Sequence, residues 1–121
     1  MTKEMDISFI KPYHQWTQRE FFMSNALYDK FLNWLSGEFD LYLQYEQNGL
    51  EVFFSNGRFS IKKVAEDMET IEIEINVKSK NLIIGSSIAN QIMSVHNHLE
   101  NMYSSSVKET RNAYGLYDFK L

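Results

Sequence analysis

The sequence predicts a single α+β domain over residues 1–121, built from a helix, a four-stranded antiparallel meander and a second helix. Apolar and polar residues alternate in four runs between Glu38 and Lys78, the pattern of strands with one buried face. Two of the connections contain Asn-Gly, the dipeptide best suited to tight hairpin turns. Segments with apolar residues at helical spacing flank these runs, and we expect the helices to pack as a single layer on the sheet.

The first residues of the chain fit a short additional strand. Met5, Ile7 and Phe9 are separated by polar residues, as on a strand with one apolar face. Pro12 follows and cannot donate a backbone hydrogen bond, so this segment suits the edge of the sheet.

The first helix is predicted to begin at a capping box, Thr17-Gln18-Arg19-Glu20, and to end at Gly37. Phe22 falls among the polar residues of this helix. It is either covered by the N-terminal segment or exposed as a contact for a partner protein. The apolar face comprises Phe21, Leu27, Tyr28, Phe31, Leu32, Trp34 and Leu35.

The first predicted strand runs from Phe39 to Gln47, with Leu41, Leu43 and Tyr45 among its inward residues. The next two residues, Asn-Gly, tolerate the positive φ angles of a two-residue turn. Such a turn places Tyr45 opposite Val52, so that the apolar side chains agree across the pair.

The second hairpin and the last strand follow the same logic. A two-residue turn at Asn56-Gly57 places Val52 opposite Ile61 and Glu51 opposite Lys62. After a looser connection, the strand from Thr70 to Lys78 alternates isoleucine and valine with polar residues.

The second helix is predicted to start at Ser86 or Ser87 and to run to about Tyr103. Its apolar seam is narrow, and an aromatic tail follows a polar spacer, so we expect apolar surface that supports a homodimer. The seam comprises Ile88, Ile92, Val95, Leu99 and Met102, and the tail contains Tyr114, Leu116, Tyr117 and Phe119.

Composition excludes several classes of protein. The chain has no cysteine, so disulfides and thiolate metal sites are absent. A net charge of −4 with scattered basic residues makes nucleic-acid binding unlikely. The sequence has neither an apolar run of membrane-spanning length nor the apolar core of a signal peptide. We therefore expect a cytoplasmic protein without a membrane association.

Catalytic and cofactor motifs are also missing, which predicts a protein that is not an enzyme and has no cofactor. His96 and His98 lie two positions apart on a predicted helix, so their side chains diverge and cannot share one metal ion. The glycines are dispersed and form no phosphate-binding loop.

The polar face of the predicted sheet is the candidate interface. Aromatic and arginine side chains surrounded by polar groups match the composition of protein interfaces. The alternative is that the N-terminal segment or the tail covers this face. The acidic residues of the last strand form either a solvated edge or a docking surface for a basic partner. The candidate interface residues are Phe22, Tyr42, Phe53, Arg58, Glu69, Glu72 and Glu74.

These features favour a small protein-binding module that inhibits, neutralises or adapts a partner, as inhibitors, immunity proteins and adaptors do. The partner is expected to be another protein, with a basic surface if the acidic residues take part. The alternative function is a small-ligand-binding protein or enzyme. Its pocket would lie between the first helix and the sheet, around His14, Tyr28 and Trp34.

Overall fold

A computed structural model describes the backbone of residues 5–114 and the side chains of residues 5–102. It shows an α+β fold with a six-stranded antiparallel sheet, in the order β1-β2-β6-β5-β4-β3, and two helices. The predicted four-stranded meander behind an N-terminal helix is therefore wrong. The elements are β1 Asp6–Ile10, β2 Tyr13–Phe22, α1 Asn25–Glu38, β3 Leu43–Tyr45, β4 Leu50–Phe54, β5 Gly57–Glu66, β6 Ile71–Ser79 and α2 Leu82–Tyr114.

The largest correction concerns β2, which contains the predicted capping box. This segment pairs with β1 on one side and with β6 on the other, so its backbone groups are satisfied in two ladders. Trp16, Gln18, Glu20 and Phe22 share the inner face of the sheet, opposite the inward isoleucines and valine of β6. Two of these four inward residues are polar, so the strand lacks the apolar alternation that would have revealed it. The N-terminal strand itself forms as expected and is an edge strand.

The N-cap of helix α1 lies seven residues later than the predicted N-cap, Thr17. Ser24 is its N-cap, and the Ser24 hydroxyl accepts a hydrogen bond from the backbone N–H of Leu27 at 3.2 Å. Tyr28, Phe31 and Leu35 are buried on one face, as their helical spacing predicts.

The predicted strand from Phe39 to Gln47 is reduced to β3, and its pairing with β4 is shifted by one residue. Gln44, not Tyr45, lies opposite Val52. Because side chains alternate along a strand, this single step turns Leu43 and Tyr45 to the outer face. Gln44 explains the shift. Its amide donates to the carbonyl oxygens of Ser36 at 2.9 Å and Phe39 at 2.6 Å, which satisfies two acceptors at the end of α1.

The second hairpin is shifted by two residues, which leaves its faces unchanged. Val52 lies opposite Phe59 rather than Ile61, and Phe54 lies opposite Gly57. The turn residues are therefore Ser55 and Asn56, with Asn56 at φ 64°. Strand β6 occupies a central position between β2 and β5, and its inward side chains are buried: Ile71, Ile73, Ile75 and Val77.

Helix α2 begins five or six residues earlier than a helix capped by Ser86 or Ser87 would, and it continues to Tyr114. The side chain of Asn81 accepts a hydrogen bond from the N–H of Ile84 at 2.9 Å and so caps the first turn. Helix α2 packs on β2, β6 and α1, so both helices lie on the inner face of the sheet. Of the predicted seam, Met102 is exposed and the other residues are buried: Ile88, Ile92, Val95 and Leu99.

The tail residues Leu116, Tyr117 and Phe119 lie outside the described residues, as does the side chain of Tyr114. Within the described part of the chain, neither helix is long and apolar enough to cross a bilayer.

Candidate functional site

Two of the predicted interface residues lie elsewhere than expected. Phe22 is 3% exposed and belongs to the core, where its ring contacts those of Phe31 and His96. It is therefore unavailable to a partner. Tyr42 follows α1 in a turn rather than lying on a strand, and its ring packs against Phe39 at a centroid distance of 5.8 Å.

Phe53 and Arg58 do lie on the outer face of the sheet, directly opposite each other on β4 and β5. The strand registers extend this pair into one row that crosses four strands. Lys78 of β6 is opposite Arg58, and Leu43 of β3 is opposite Phe53. Both helices occupy the other face, so this row faces outward in the part of the chain that the structure describes.

The row ends beside a second aromatic and basic pair. Lys80 Nζ lies 5.8 Å from the ring centroid of Tyr13, within the range of a cation–π contact. A surface depression of about 320 Å³ lies between these groups. We call the basic–aromatic row the set of Tyr13, Leu43, Phe53, Arg58, Lys78 and Lys80.

Two of the acidic candidates, Glu72 and Glu74, lie further along the outer face of β6 and are partly neutralised. Arg19 lies 3.7 Å from the carboxylate of Glu72 and 3.8 Å from that of Glu74. Lys62 is directly opposite Glu74. Glu69 is exposed in the turn between β5 and β6, away from these pairs along the chain. These carboxylates therefore form a mixed-charge surface rather than a purely acidic one.

The residues of the alternative ligand pocket are separated in the structure. Tyr28 packs against Phe22 at 6.3 Å, while the ring of Trp34 packs on His98 at 5.1 Å. His14 lies near the start of β2, between β1 and β6, with its ring 4.8 Å from that of Phe9. The described contacts bring none of the three together, so they form no common pocket.

A polar cluster on the inner face was not predicted from the sequence. It consists of Glu20 on β2 with His96 and Glu100 on α2. His96 Nε2 lies 3.8 Å from Glu20 Oε1, and His96 Nδ1 lies 3.7 Å from Glu100 Oε1. One donor atom from each residue lies within 4.8 Å of those of the other two. We call these three residues the Glu-His-Glu cluster.

The imidazole at the centre of this cluster is enclosed by the core. His96 is 1% exposed and its ring packs against Phe22 at 5.2 Å and Phe31 at 5.8 Å. Both ring nitrogens are buried, and neither has a hydrogen-bond partner among the described residues. An unpaired buried polar group lowers the stability of the folded protein by about 1–3 kcal/mol. His96 therefore destabilises the fold for as long as its ring nitrogens have no partner.

The two carboxylates differ in their freedom to move. Gln18 donates a hydrogen bond from Nε2 to Glu20 Oε2 at 2.6 Å, which leaves Oε1 directed towards His96. The side chain of Glu100 is 54% exposed. Glu100 also lines a surface pocket of about 370 Å³. This pocket lies where the end of β2 and the start of α1 meet the turn of α2 formed by residues 99–101. The cluster is thus buried on the imidazole side and open on the Glu100 side.

Two signals in the sequence point to this cluster. His96 and Glu100 have the four-residue spacing that places side chains on one helical face, and His96 itself lies within the apolar seam of α2. The contribution of Glu20 depends on β2 being a strand, which the sequence did not reveal.

Comparison with known protein families finds none whose pattern matches this chain, and comparison with curated proteins finds no match.

Proposed function

We propose that this protein is a non-catalytic protein-binding module that inhibits, neutralises or adapts a partner, and that the basic–aromatic row is its binding surface. The main support is the continuous register that lines up Leu43, Phe53, Arg58 and Lys78 on the outer face of the sheet. Aromatic and arginine side chains in one patch are characteristic of the energetically dominant parts of protein interfaces.

Charge indicates the kind of partner segment. Glu51 accepts a hydrogen bond from Arg58 at 3.0 Å, which offsets one positive charge. Among the described residues, Lys78 and Lys80 form no ion pair. The row therefore carries excess positive charge beside apolar rings. We propose that it binds an acidic segment of the partner that also supplies an apolar side chain.

This choice differs from a basic partner bound by Glu69, Glu72 and Glu74. Arg19 and Lys62 already lie beside or opposite two of those carboxylates, which weakens the attraction for a basic surface. A cytoplasmic location forms part of the proposal and rests on the absence of cysteine.

The test is affinity capture from extract of the native cell with the full chain, followed by mass spectrometry and by titration of the captured protein. Phe53→Ser and Lys78→Glu are both expected to abolish capture, and binding by the wild type should weaken as ionic strength rises. Leu41→Ser is the matched control, because Leu41 is 95% exposed but lies outside the row. Circular dichroism establishes that each variant is folded.

Capture that survives both substitutions would contradict the proposed surface. A metabolite that co-purifies with the chain while no protein is captured at any salt concentration would favour the small-ligand alternative.

A further inference from the structure

We propose that the Glu-His-Glu cluster is a binding site for a divalent first-row transition metal ion, with Zn²⁺ as the ion that best fits its ligands. Imidazole and carboxylate groups together are typical zinc ligands, whereas Mg²⁺ and Ca²⁺ are bound through oxygen alone. The proposal is independent of the binding surface on the outer face, because Glu20, His96 and Glu100 lie on the inner side of the sheet.

The three donor atoms lie near one another, although they are more widely spaced than in an occupied site. Ligand atoms bound to one tetrahedral zinc ion lie about 3.4 Å apart, since each is about 2.1 Å from the metal. A single ion binds only one of the two imidazole nitrogens, and with one donor atom from each residue the three atoms lie within 4.8 Å of one another. Binding therefore requires the donor atoms to draw closer by up to about 1.4 Å, and the exposed side chain of Glu100 is free to move.

The surroundings provide what a metal site needs beyond its direct ligands. The hydrogen bond from Gln18 orients Glu20 so that its second oxygen is directed towards His96. Glu100 also lines the neighbouring pocket, so the cluster is open to solvent on that side. A zinc ion with three protein ligands takes a water molecule as its fourth. A bound ion would also give one of the two buried nitrogens of His96 a partner that the described residues do not provide.

His98 does not belong to this site. Its ring packs against Trp34, on a different face of α2 from His96. The prediction that no metal is required rested in part on the diverging side chains of His96 and His98. It took no account of Glu20 and Glu100.

The experiment is isothermal titration calorimetry of Zn²⁺ into the full-length, untagged and metal-stripped protein. We expect one ion per chain, and we expect Glu20→Gln and Glu100→Gln each to lower the affinity at least about tenfold. Glu69→Gln and His98→Gln are controls for non-specific binding by exposed carboxylates and imidazoles, and both should retain the wild-type affinity. Glu100→Gln is the safest variant for folding because its side chain is half exposed.

Two further readouts separate coordination from a merely structural role. Zn²⁺ should shift the ¹⁵N resonances of the His96 imidazole in the wild type, and Glu100→Gln should need at least about tenfold more free Zn²⁺ for the same shift. It should also raise the melting temperature of the wild type more than that of either glutamate variant. The absence of stoichiometric binding, or an affinity that both glutamine variants retain, would overturn the proposal.

Discussion

At the scale of single residues, Gly85 and Gly37 are both helical glycines, but substitution by alanine should have opposite effects. A Cβ at residue 85 would lie 2.8 Å from the Cβ of Ser79 and closer still to two ring carbons of Trp16. A Cβ at residue 37 would meet no atom within 4 Å. We expect Gly85→Ala to lower the free energy of unfolding by about 1–3 kcal/mol through overpacking.

Gly37→Ala is the matched control, and it should raise the free energy of unfolding by about 0.5–1 kcal/mol, because alanine is the better helix former. Urea denaturation followed by circular dichroism measures both changes. Equal stabilisation by the two substitutions would show that α2 does not approach Trp16 as closely as described.

A second residue-scale prediction concerns Asp67, in the turn between β5 and β6. Its carboxylate accepts hydrogen bonds from the backbone N–H groups of Glu69 and Thr70, each at 2.8 Å. These bonds hold the pKa of Asp67 below its ordinary value of 3.8. Ionised Asp67 therefore stabilises the fold above that value, and the stabilisation is lost as the pH falls through the lower pKa of the folded state.

The stability difference between wild type and Asp67→Asn, measured by urea denaturation, should be constant above about pH 5 and should shift against the wild type in acid. NMR titration of the Asp67 carboxyl measures the pKa directly. A pKa at or above 3.8 in the folded protein would contradict the turn geometry.

Among the candidate-site residues, some positions could be predicted from the sequence and others could not. Phe53 and Arg58 were placed correctly on the outer face because alternation along β4 and the first half of β5 is regular. Phe22 was placed wrongly because its segment was assigned to a helix. The Glu-His-Glu cluster joins residues more than seventy positions apart, so only the pairing of β2 with β6 and the packing of α2 bring them together.

At the scale of elements, β3 tests the fold well, because its inward residue Gln44 is hydrogen-bonded to the end of α1. Removing the amide in Gln44→Ala would take this partner from the carbonyl of Ser36, while the carbonyl of Phe39 would keep its hydrogen bond from the N–H of Tyr42. We expect a loss of about 1 kcal/mol or more in the free energy of unfolding, with greater mobility at the end of α1.

The substitution Leu41→Ser distinguishes the predicted register of the β3 segment with β4 from the observed one. The predicted register buries Leu41 in the core, where loss of a large apolar side chain costs about 2–5 kcal/mol. In the structure Leu41 is 95% exposed, so the same substitution should change stability by less than about 0.5 kcal/mol. Urea denaturation decides between these values. A large loss would restore the predicted strand.

The elements that were predicted well are those whose local pattern agrees with their environment. Strand β6 alternates strictly and is buried on one face, and the buried face of α1 follows helical spacing. The predictions for the segments that form β2 and β3 were wrong because tertiary contacts decide their conformation. Gln18 and Glu20 face inward towards a polar cluster, and Gln44 faces inward to cap a helix. Polar residues with such inward contacts interrupt the apolar–polar alternation by which a strand is recognised in a sequence.

At the scale of the whole molecule, the structure excludes one of the two surfaces proposed for the predicted homodimer. The buried apolar residues of α2 extend from Ile88 to Leu99 and pack within the same chain, so this seam offers no free surface. The helix nevertheless continues to Tyr114, and Met102 is exposed on it. The prediction of a homodimer therefore depends on the end of α2 and on the aromatic tail that follows.

Deletion of residues 114–121 should convert a dimer into a monomer, because it removes every aromatic residue of the tail while leaving the described core intact. Light scattering at tens of micromolar protein measures the mass, with Phe53→Ser as the control. If the tail joins the subunits, Phe53→Ser remains a dimer, since Phe53 lies on the outer face of the sheet. If the basic–aromatic row joins them, Phe53→Ser becomes a monomer and the deletion does not. A monomeric wild type at these concentrations would contradict self-association through either surface.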